Sequence, residues 1–559
     1  MTTLRGLGVS AGLAAGPAVV MAAEEPEPPA TYTPTPVADR DAAGAVLEAA
    51  AKEVERHLLS AAEAVEGEAR AVLHATAMMA VDPMLLDQAV RLVREQGMPA
   101  DRAVWVVAAE VTTMFSAAGA QMAARVRDVN DVRDRLVYAL HGTEPPGVPS
   151  REQAFVLVAR DLAPSDTVGL DPDKVLALVT EEGGPTSHTA ILARALGIPS
   201  VVAAAGVLKL REGAVVVVDG TSGLIEVEPD AARISQARRH RVKQLPRHTG
   251  EAATADGHPV PLLANIGEPA DAKAALEAGA EGVGLFRTEF CFFGRTEPPS
   301  LDEQITVYQQ LFDAFAGGRV VVRTLDAGAD KPMPFMNVAG AVETNPALGV
   351  RGYRTAIGAP DLLDVQLEAL SVAAQRSEAD VWVMAPMVST AIEASEFAAL
   401  ARQHGLRTAG IMVEVPAIAL AAKHALSVCD FASIGTNDLT QYAMAADRQL
   451  AAVAALNDPW QPAVLRLVAE TCTAGRELGK PIGVCGEAAA EPGLACVLVG
   501  LGVSSLSMSP SAISAVASRL SGVSSATCSE AATAALAASS AEQARQDAYQ
   551  LLDEGDDGA

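Results

Sequence analysis

The chain has 559 residues, of which 50% are hydrophobic and 20% are charged, and its formal net charge is −27. This length is too great for one compact core and predicts three or four domains, while the apolar fraction excludes a disordered chain. The negative charge argues against non-specific binding to nucleic acid or to an anionic membrane, and any anionic substrate would need a local cluster of arginines.

The N-terminus is apolar enough to suggest a signal peptide superficially, but glycines and one proline interrupt it. Gly6, Gly8, Gly12, Gly16 and Pro17 break any continuous helix, so the pattern predicts a strand, a turn and a second strand. No stretch of the sequence is long and apolar enough to predict a bilayer span. The six cysteines form no CxxC pair, which indicates reduced thiols in a cytosolic protein.

Helical patterns follow a proline-rich segment over residues 21–40, which is typical of a stiff linker. From about residue 42 to residue 141, apolar residues recur at helical spacing and predict an antiparallel bundle. The short β-rich runs AFVLVAR, KVLALVTE and GAVVVVDG come next and predict a small α/β domain. The N-terminal strand segment is predicted to return to this domain across the helical insertion.

The sequence GGPTSHTAILAR places His188 where a loop turns into a predicted helix. A helix N-terminus carries partial positive charge and free N–H groups, so it disfavours a protonated imidazole and can hold an oxyanion on the ring. These are the properties of a histidine that carries a phosphoryl group. A histidine that only caps the helix is the alternative, and this loop by itself does not exclude it.

From about residue 260, strand and helix patterns alternate and predict a closed (β/α)₈ barrel. The eight predicted strands are PLLANI, GVGLFR, RVVVRTLD, LGVRGYR, VWVMAPMV, TAGIMVEV, FASIGTND and PIGVCGE. A doubly wound sheet is the alternative, and the similar length and spacing of all eight runs favour closure. The chain as a whole is therefore predicted to be a multidomain α/β protein, with a terminal helix and an acidic tail after residue 521.

Charged and nucleophilic side chains occur at the carboxyl ends of these predicted strands, where such barrels hold their active sites. They are Arg287, Arg323, Asp326, Arg351, Glu414, Asn437, Asp438, Arg448, Cys485 and Glu487. Each alone could be a surface ion pair, a helix cap or a buried thiol, but so many charges at one rim need a ligand to neutralise them. Two carboxylates suit Mg²⁺, arginines bind phosphate and carboxylate, and a thiol can donate a proton to carbon. The predicted substrate is a small phosphorylated carboxylate.

With these residues in view, the chain resembles enzyme I of the bacterial phosphoenolpyruvate-dependent sugar phosphotransferase system, the phosphoenolpyruvate–protein phosphotransferases. The resemblance runs nearly end to end. It rests on GGPTSHTAILARALGIPSVV, GVGLFRTEF, VVVRTLDAGADKP, NPALGVRGYR, GIMVEVPAI, SIGTNDLTQYAMAADR and GVCGEAA. The most specific of these motifs is SIGTNDLTQY with the DR that follows it, because GGxTSH alone is shared with related enzymes.

The resemblance implies that phosphoenolpyruvate and Mg²⁺ bind at the barrel mouth, with Glu414 and Asp438 as metal ligands. The substrate-binding residues that it implies are Arg287, Arg323, Asn437, Asp438 and Arg448. Cys485 is implied as the catalytic proton donor. The phosphoryl group is implied to pass to Nε2 of the catalytic His188 and then to a histidine of the carrier protein HPr. A cytoplasmic homodimer formed through the barrels is also implied.

The resemblance further implies a division of the chain. The expected parts are a phosphohistidine α/β domain over 1–20 and 145–228, a helical HPr-binding subdomain over 21–144, a linker helix over 229–255, a phosphoenolpyruvate-binding and dimerisation barrel over 256–553, and an acidic tail over 554–559. Thr167 and Arg194 match family positions that flank the active histidine. Pro185 stands where the family often has arginine, which removes one phosphate contact.

Two other functions fit parts of the sequence. Pyruvate phosphate dikinase and phosphoenolpyruvate synthase share the GGxTSH loop and the barrel, but they also carry a large nucleotide-binding domain, and no Gly-rich phosphate loop precedes the histidine here. A non-catalytic regulator that has kept the fold is the other alternative. The presence of His188, both carboxylates, the arginines and Cys485 argues against it.

Overall fold

The computed structural model describes residues 2–10, 12–21, 27–63, 67–117, 125–143, 148–149, 151, 153–162, 170–171, 174–184, 189–190, 193, 196–220, 222–231, 233–235, 237, 248–293, 295–327, 335, 343, 345–447 and 450–554. The chain forms two compact units, Met1–Lys243 and Gln244–Ala559. The domain boundaries implied by the resemblance within and around these units stay a prediction.

The first unit contains one mixed sheet of eight strands. The strands are β1 (Thr2–Arg5), β2 (Leu7–Ser10), β3 (Leu13–Met21), β4 (Phe155–Ala159), β5 (Val175–Thr180), β6 (Ser200–Val202), β7 (Val215–Asp219) and β8 (Leu224–Val227). Their order is β1-β8-β7-β3-β4-β5-β6-β2, and the steps from β3 through β6 are parallel while the others are antiparallel. The N-terminal strands therefore return to the later strands of the same sheet, which confirms that expectation.

A helical bundle stands in the chain between β3 and β4. Its helices are α1 (Arg40–Glu63), α2 (Gly67–Ala80), α3 (Leu86–Arg91), α4 (Ala100–Ala117) and α5 (Val126–Leu140). They form because apolar residues recur on one face of each helix; in α5 these are Val129, Val132 and Leu136, all buried. Leu47, Leu58 and Leu73 join them in one core.

The second unit is a closed barrel of eight parallel strands. They are β9 (Leu262–Ile266), β10 (Gly282–Arg287), β11 (Arg319–Arg323), β12 (Asp380–Ala385), β13 (Thr408–Val413), β14 (Ala432–Ile434), β15 (Ile482–Val484) and β16 (Ser505–Met508), with β16 pairing with β9. Side chains alternate along each strand: Val320 and Val322 pack under the outer helices, and Val321 lies in the barrel interior. The multidomain α/β fold with a C-terminal barrel is confirmed.

Helices surround the barrel. They are α6 (Asp271–Ala278), α7 (Leu301–Ala314), α8 (Pro360–Gln375), α9 (Ala391–Gln403), α10 (Pro416–Leu420), α11 (Ala422–Leu426), α12 (Thr436–Met444), α13 (Pro462–Leu478), α14 (Pro492–Leu501), α15 (Ile513–Ser521), α16 (Ser525–Ala537) and α17 (Ala541–Glu554). Capping boxes begin α7 at Ser300 and α9 at Thr390. Over the described part of the chain, no helix combines the length and the hydropathy of a membrane span.

One of the eight predicted strands is wrong, and one strand was missed. LGVRGYR is not a strand: it contains parts of two 3₁₀ turns, Pro346–Leu348 and Gly352–Ile357. Gly352 adopts a φ of +59°, which ends extended backbone, and Arg351 before it turns its charge into an acidic cluster. The missing strand is β16, whose sequence SLSM is too short and too polar to signal a strand.

Candidate active site

The carboxyl ends of the parallel strands bring together most of the charged residues that the sequence singled out. Arg287 ends β10, Arg323 ends β11, and Glu414 follows β13. Asp438 lies in the first turn of α12, directly after β14, and Cys485 follows β15. Because parallel strands place these ends on one side of the barrel, the side chains share one rim.

Arg323 is buried and is held by two carboxylates. Its Nη2 donates to Oε1 of Glu289 at 2.9 Å, and its Nη1 lies 3.0 Å from Oδ2 of Asp326. Burial alone would lower the pKa of this guanidinium, but attraction to Glu289, Asp326 and Glu414 outweighs it and raises the pKa above its usual value. Arg323 is therefore a permanent cation in a fixed orientation.

Arg351 joins the two sides of this cluster. Its Nη2 donates to Oδ2 of Asp326 at 3.0 Å, and its Nη1 donates to Oδ1 of Asp438 at 3.3 Å and to the Tyr442 hydroxyl at 3.3 Å. Burial opposes its charge, while Asp326 and Asp438 raise its pKa above the usual value. The loop after β11 and helix α12 are thus tied together by one buried fork.

Glu414 is 1% exposed, and its Oε1 accepts a hydrogen bond of 2.6 Å from the backbone N–H of Met387. Burial raises the pKa of Glu414 to about 8, and repulsion from Asp326 and Asp438 adds to this. A divalent cation beside these carboxylates would relieve that excess of negative charge. Two carboxylates with substrate and water oxygens as the remaining ligands fit the coordination chemistry of Mg²⁺.

Arg287 stands on the wall of the rim with its side chain in contact with solvent. The surrounding protein lowers the pKa of its guanidinium by desolvation, and repulsion from Arg323 adds to this. Arg287 lies near the like charge of Arg323, and among the described residues no carboxylate bonds to it, so the pair attracts an anion.

Cys485 is 2% exposed and faces the barrel interior beside Met384 and Met412. Desolvation raises the pKa of its thiol to about 11, although a hydrogen bond from Ser433 and the charge of Arg323 act against this. The thiol stays protonated at neutral pH, which is the state that can donate a proton.

Comparison with known proteins matches the chain along most of its length. The models of PEP-utilising enzymes match in three parts: the N-terminal part over residues 5–125, the mobile domain over 152–223 and the PEP-binding domain over 241–525. A phosphoenolpyruvate-protein phosphotransferase of Streptomyces coelicolor is 52% identical over 92% of each chain. The chain belongs to the phosphoenolpyruvate-protein phosphotransferase family.

Two other relatives in this family lie further away. The phosphoenolpyruvate-protein phosphotransferase of Haloferax volcanii is 43% identical over 80% of this chain and 81% of its own. That of Staphylococcus carnosus is 35% identical over 91% of this chain and 92% of its own. This chain is therefore an enzyme of the phosphoenolpyruvate-protein phosphotransferase family.

Some residues predicted for a phosphoenolpyruvate-protein phosphotransferase site lie outside the described residues. These are His188, Arg448, Pro185, Thr167 and Arg194. Asn437 is described: its Oδ1 accepts a hydrogen bond of 3.1 Å from the backbone N–H of Glu487, which links the segments after β14 and β15. The residues that the rim does bring together are thus Arg287, Arg323, Asn437, Glu414, Asp438 and Cys485.

Sequence reasoning missed Glu289, which is buried and accepts hydrogen bonds from Arg323 and from the backbone N–H of Asp326 at 2.9 Å. It lies in the 3₁₀ turn Thr288–Cys291, two residues past the end of β10. One sequence signal was present. Glu289 lies two residues after Arg287 in GVGLFRTEF, so it stands near the rim, where a carboxylate can pair with the arginine that ends the next strand.

Proposed function

We propose that this enzyme transfers the phosphoryl group of phosphoenolpyruvate to its own His188 and then to a histidine of HPr, with release of pyruvate. This is the first step of phosphoenolpyruvate-dependent sugar uptake, carried out in the cytoplasm by a homodimer that uses Mg²⁺. The observation that carries the proposal is the rim itself. Permanent arginine cations, two buried carboxylates and one protonated thiol stand at the carboxyl end of a single barrel.

The arginines suit the anionic part of the substrate. Arg287 is open to solvent and binds an incoming phosphate or carboxylate, while Arg323 is oriented in advance by Glu289 and Asp326. Such preorganised charge is most useful where negative charge builds up during phosphoryl transfer, because the protein does not have to rearrange at that moment. The Asn437 amide nitrogen can donate to a substrate oxygen, since its carbonyl is already bound to the Glu487 N–H. Arg448 completes the proposed set.

Glu414 and Asp438 would hold Mg²⁺, which when bound neutralises charge on the transferring phosphoryl group. Loss of that group leaves an enolate that must gain a proton on carbon to become pyruvate. The thiol of Cys485 is the acid we assign to this step, because burial keeps it protonated.

His188 belongs by sequence to the first unit, and the rim belongs to the second. In-line transfer requires reacting atoms about 3 Å apart, and HPr must then reach the same ring. The proposal therefore includes a hinge motion that brings His188 to the rim and away again, with linkers near 21–40, 142–150 and 229–250 as candidate hinges.

The test is labelling of the purified protein with phosphoenolpyruvate that carries a radioactive phosphoryl group, in the presence of Mg²⁺. We expect one acid-labile, alkali-stable label on His188, which HPr then discharges. His188→Ala abolishes labelling while the barrel still binds phosphoenolpyruvate. Label on any other side chain contradicts the proposal.

Two further outcomes separate the alternatives. Labelling that requires ATP supports the dikinase reaction. No labelling with either donor, in a protein that melts cooperatively, supports a regulator without catalysis.

A further inference from the structure

The C-terminal helix α17 contacts the ends of two segments that begin at the rim. The first segment begins at Asp438 and ends at the start of α13. At its end, Oδ1 and Oδ2 of Asp458 lie 3.3 Å and 3.1 Å from Nη2 of Arg545 on α17. Asp458 also accepts a hydrogen bond of 2.9 Å from the backbone N–H of Trp460, which fixes the turn before α13.

The second segment runs from Cys485 through Glu487 to the start of α14. Glu491 ends it and caps α14, because its carboxylate accepts hydrogen bonds from the backbone N–H groups of Gly493 and Leu494. The Tyr549 hydroxyl of α17 donates to the same carboxylate. Helix α17 therefore holds both segments through side chains.

Both contacts are made from one face of α17. Arg545 and Tyr549 are four residues apart and lie on the same face of α17. Between them stands Trp460, fully buried, with the guanidinium carbon of Arg545 5.7 Å from its ring centre and the Tyr549 ring 6.1 Å away. The side chains of Arg545 and Asp458 are each 25% exposed, so the pair is partly shielded from water.

We propose that Arg545 and Tyr549 are positioning residues for phosphoryl transfer, which set the two rim segments from the outer helix layer. This inference rests on the proposed function. Neither residue touches the reacting atoms; each acts on them through the end of a segment that carries proposed site residues. The reason for an effect is geometric, because displacement of reacting groups by about 1 Å can lower a rate about 10²-fold.

The two contacts differ in what they set, which predicts different kinetic effects. Arg545 holds the end of the segment that begins at Asp438, the proposed metal ligand, so Arg545→Ala raises the KM for phosphoenolpyruvate about 10-fold. Tyr549 holds the segment with Cys485, the proton donor, so Tyr549→Phe lowers kcat about 3-fold to 10-fold with little change in KM.

The experiment compares Arg545→Ala, Arg545→Lys and Tyr549→Phe with Gln546→Ala, a control on the exposed face of the same helix. Arg545→Lys keeps the charge but loses the planar guanidinium that lies near the Trp460 ring, so its KM should lie between those of Arg545→Ala and the unmodified protein. Calorimetry verifies that each variant melts as the unmodified protein does. If Arg545→Ala and Tyr549→Phe match Gln546→Ala in both kcat and KM while the unmodified protein is active, the inference is wrong.

A second measurement tests the positioning role of Arg545 independently of the proposed function. Hydrogen exchange of residues 439–461 needs no substrate, and we expect it to be at least 5-fold faster in Arg545→Ala than in Gln546→Ala, with the barrel strands unchanged. Unmodified protein that fails to label from phosphoenolpyruvate contradicts the proposed function alone. Unchanged exchange over 439–461 contradicts the inference alone.

Discussion

Two arginines at opposite ends of the strand β11 show how differently the barrel treats the same side chain. Arg323 ends the strand, is bound by Glu289 and Asp326, and has a pKa raised above its usual value. Arg319 begins the strand, and its guanidinium carbon lies 4.1 Å from the centre of the Trp382 ring. Burial lowers the pKa of Arg319 despite the charge of Asp380. Both arginines face the barrel interior, because side chains alternate along a strand.

The two arginines differ in pKa because the two ends of the barrel surround them with different groups. At the carboxyl end, residues that directly follow the strands, such as Glu289, Asp326 and Met387, supply carboxylates and a backbone N–H. At the amino end, the interior is lined by aromatic rings and small residues, including Phe431, Gly483 and Ser505. A charged network that can bind an anion and a cation together therefore forms at the carboxyl end, which is the reason to locate the chemistry there.

The largest effect expected is that of Arg323→Ala. It leaves Glu289 buried without its cation and leaves Asp326 with Arg351 alone, and breaking a buried pair costs about 3–5 kcal/mol. We expect the rate of labelling from phosphoenolpyruvate to fall at least about 10³-fold, because a preorganised charge at the site is lost. Arg319→Ala, on the same strand, should change the labelling rate less than about 3-fold, because Arg319 lies at the opposite end of the strand and its cation–π contact, about 1 kcal/mol, contributes to stability. Equal losses in the two variants would contradict the comparison.

The next effect in size is that of Glu289→Gln. The amide keeps an oxygen that can accept from Arg323 and from the Asp326 N–H, but it removes the charge. We expect labelling to slow about 10-fold to 10²-fold, which corresponds to about 1.4–2.8 kcal/mol. Glu303→Gln, at the exposed capping box of α7, is the matched control and should leave the rate unchanged. An unaffected rate in Glu289→Gln would show that Asp326 alone orients Arg323.

The smallest effect expected is on the pH dependence of stability, and it concerns the Cys485 thiol. Its thiol has a pKa of about 11 in the folded protein, against about 8.5 in an unfolded chain, so the unfolded state loses the proton first as pH rises. The contribution to stability is therefore complete below about pH 8.5 and is lost between that pH and about 11. Melting temperatures measured from pH 7 to pH 11 without divalent cation should fall more steeply in the unmodified protein than in Cys485→Ala. Parallel curves would show that this thiol is not shielded.

The sequence predicted much of the barrel because its strands are apolar runs that end in charge. GVGLFR and RVVVR became β10 and β11, with Arg287 and Arg323 at their ends as expected. LGVRGYR carries the same signature and is not a strand, because apolar residues before an arginine do not distinguish an extended segment from a turn at Gly352. The predicted number of strands equals the observed number because the incorrect strand LGVRGYR offsets the unpredicted strand β16.

The candidate site was less predictable than the fold. The rim arginines and carboxylates could be placed from strand ends, but their pairing could not, since Arg351 binds Asp326 and Asp438 across distant parts of the chain. Glu289 was missed because its role depends on a neighbour that lies in another strand. Sequence spacing predicts which residues reach an edge, and only packing decides which of them neutralise one another.

The donor that holds Glu414 is a backbone N–H, that of Met387, a residue whose φ of +57° is uncommon for a side chain with a Cβ. No exchange of one ordinary side chain for another deletes this group, apart from proline, which also fixes φ near −65°. Alanine scanning therefore does not test the hydrogen bond from the Met387 N–H to the Glu414 carboxylate. An ester linkage in place of the amide at residue 387 would replace that N–H with an oxygen and leave every side chain in place.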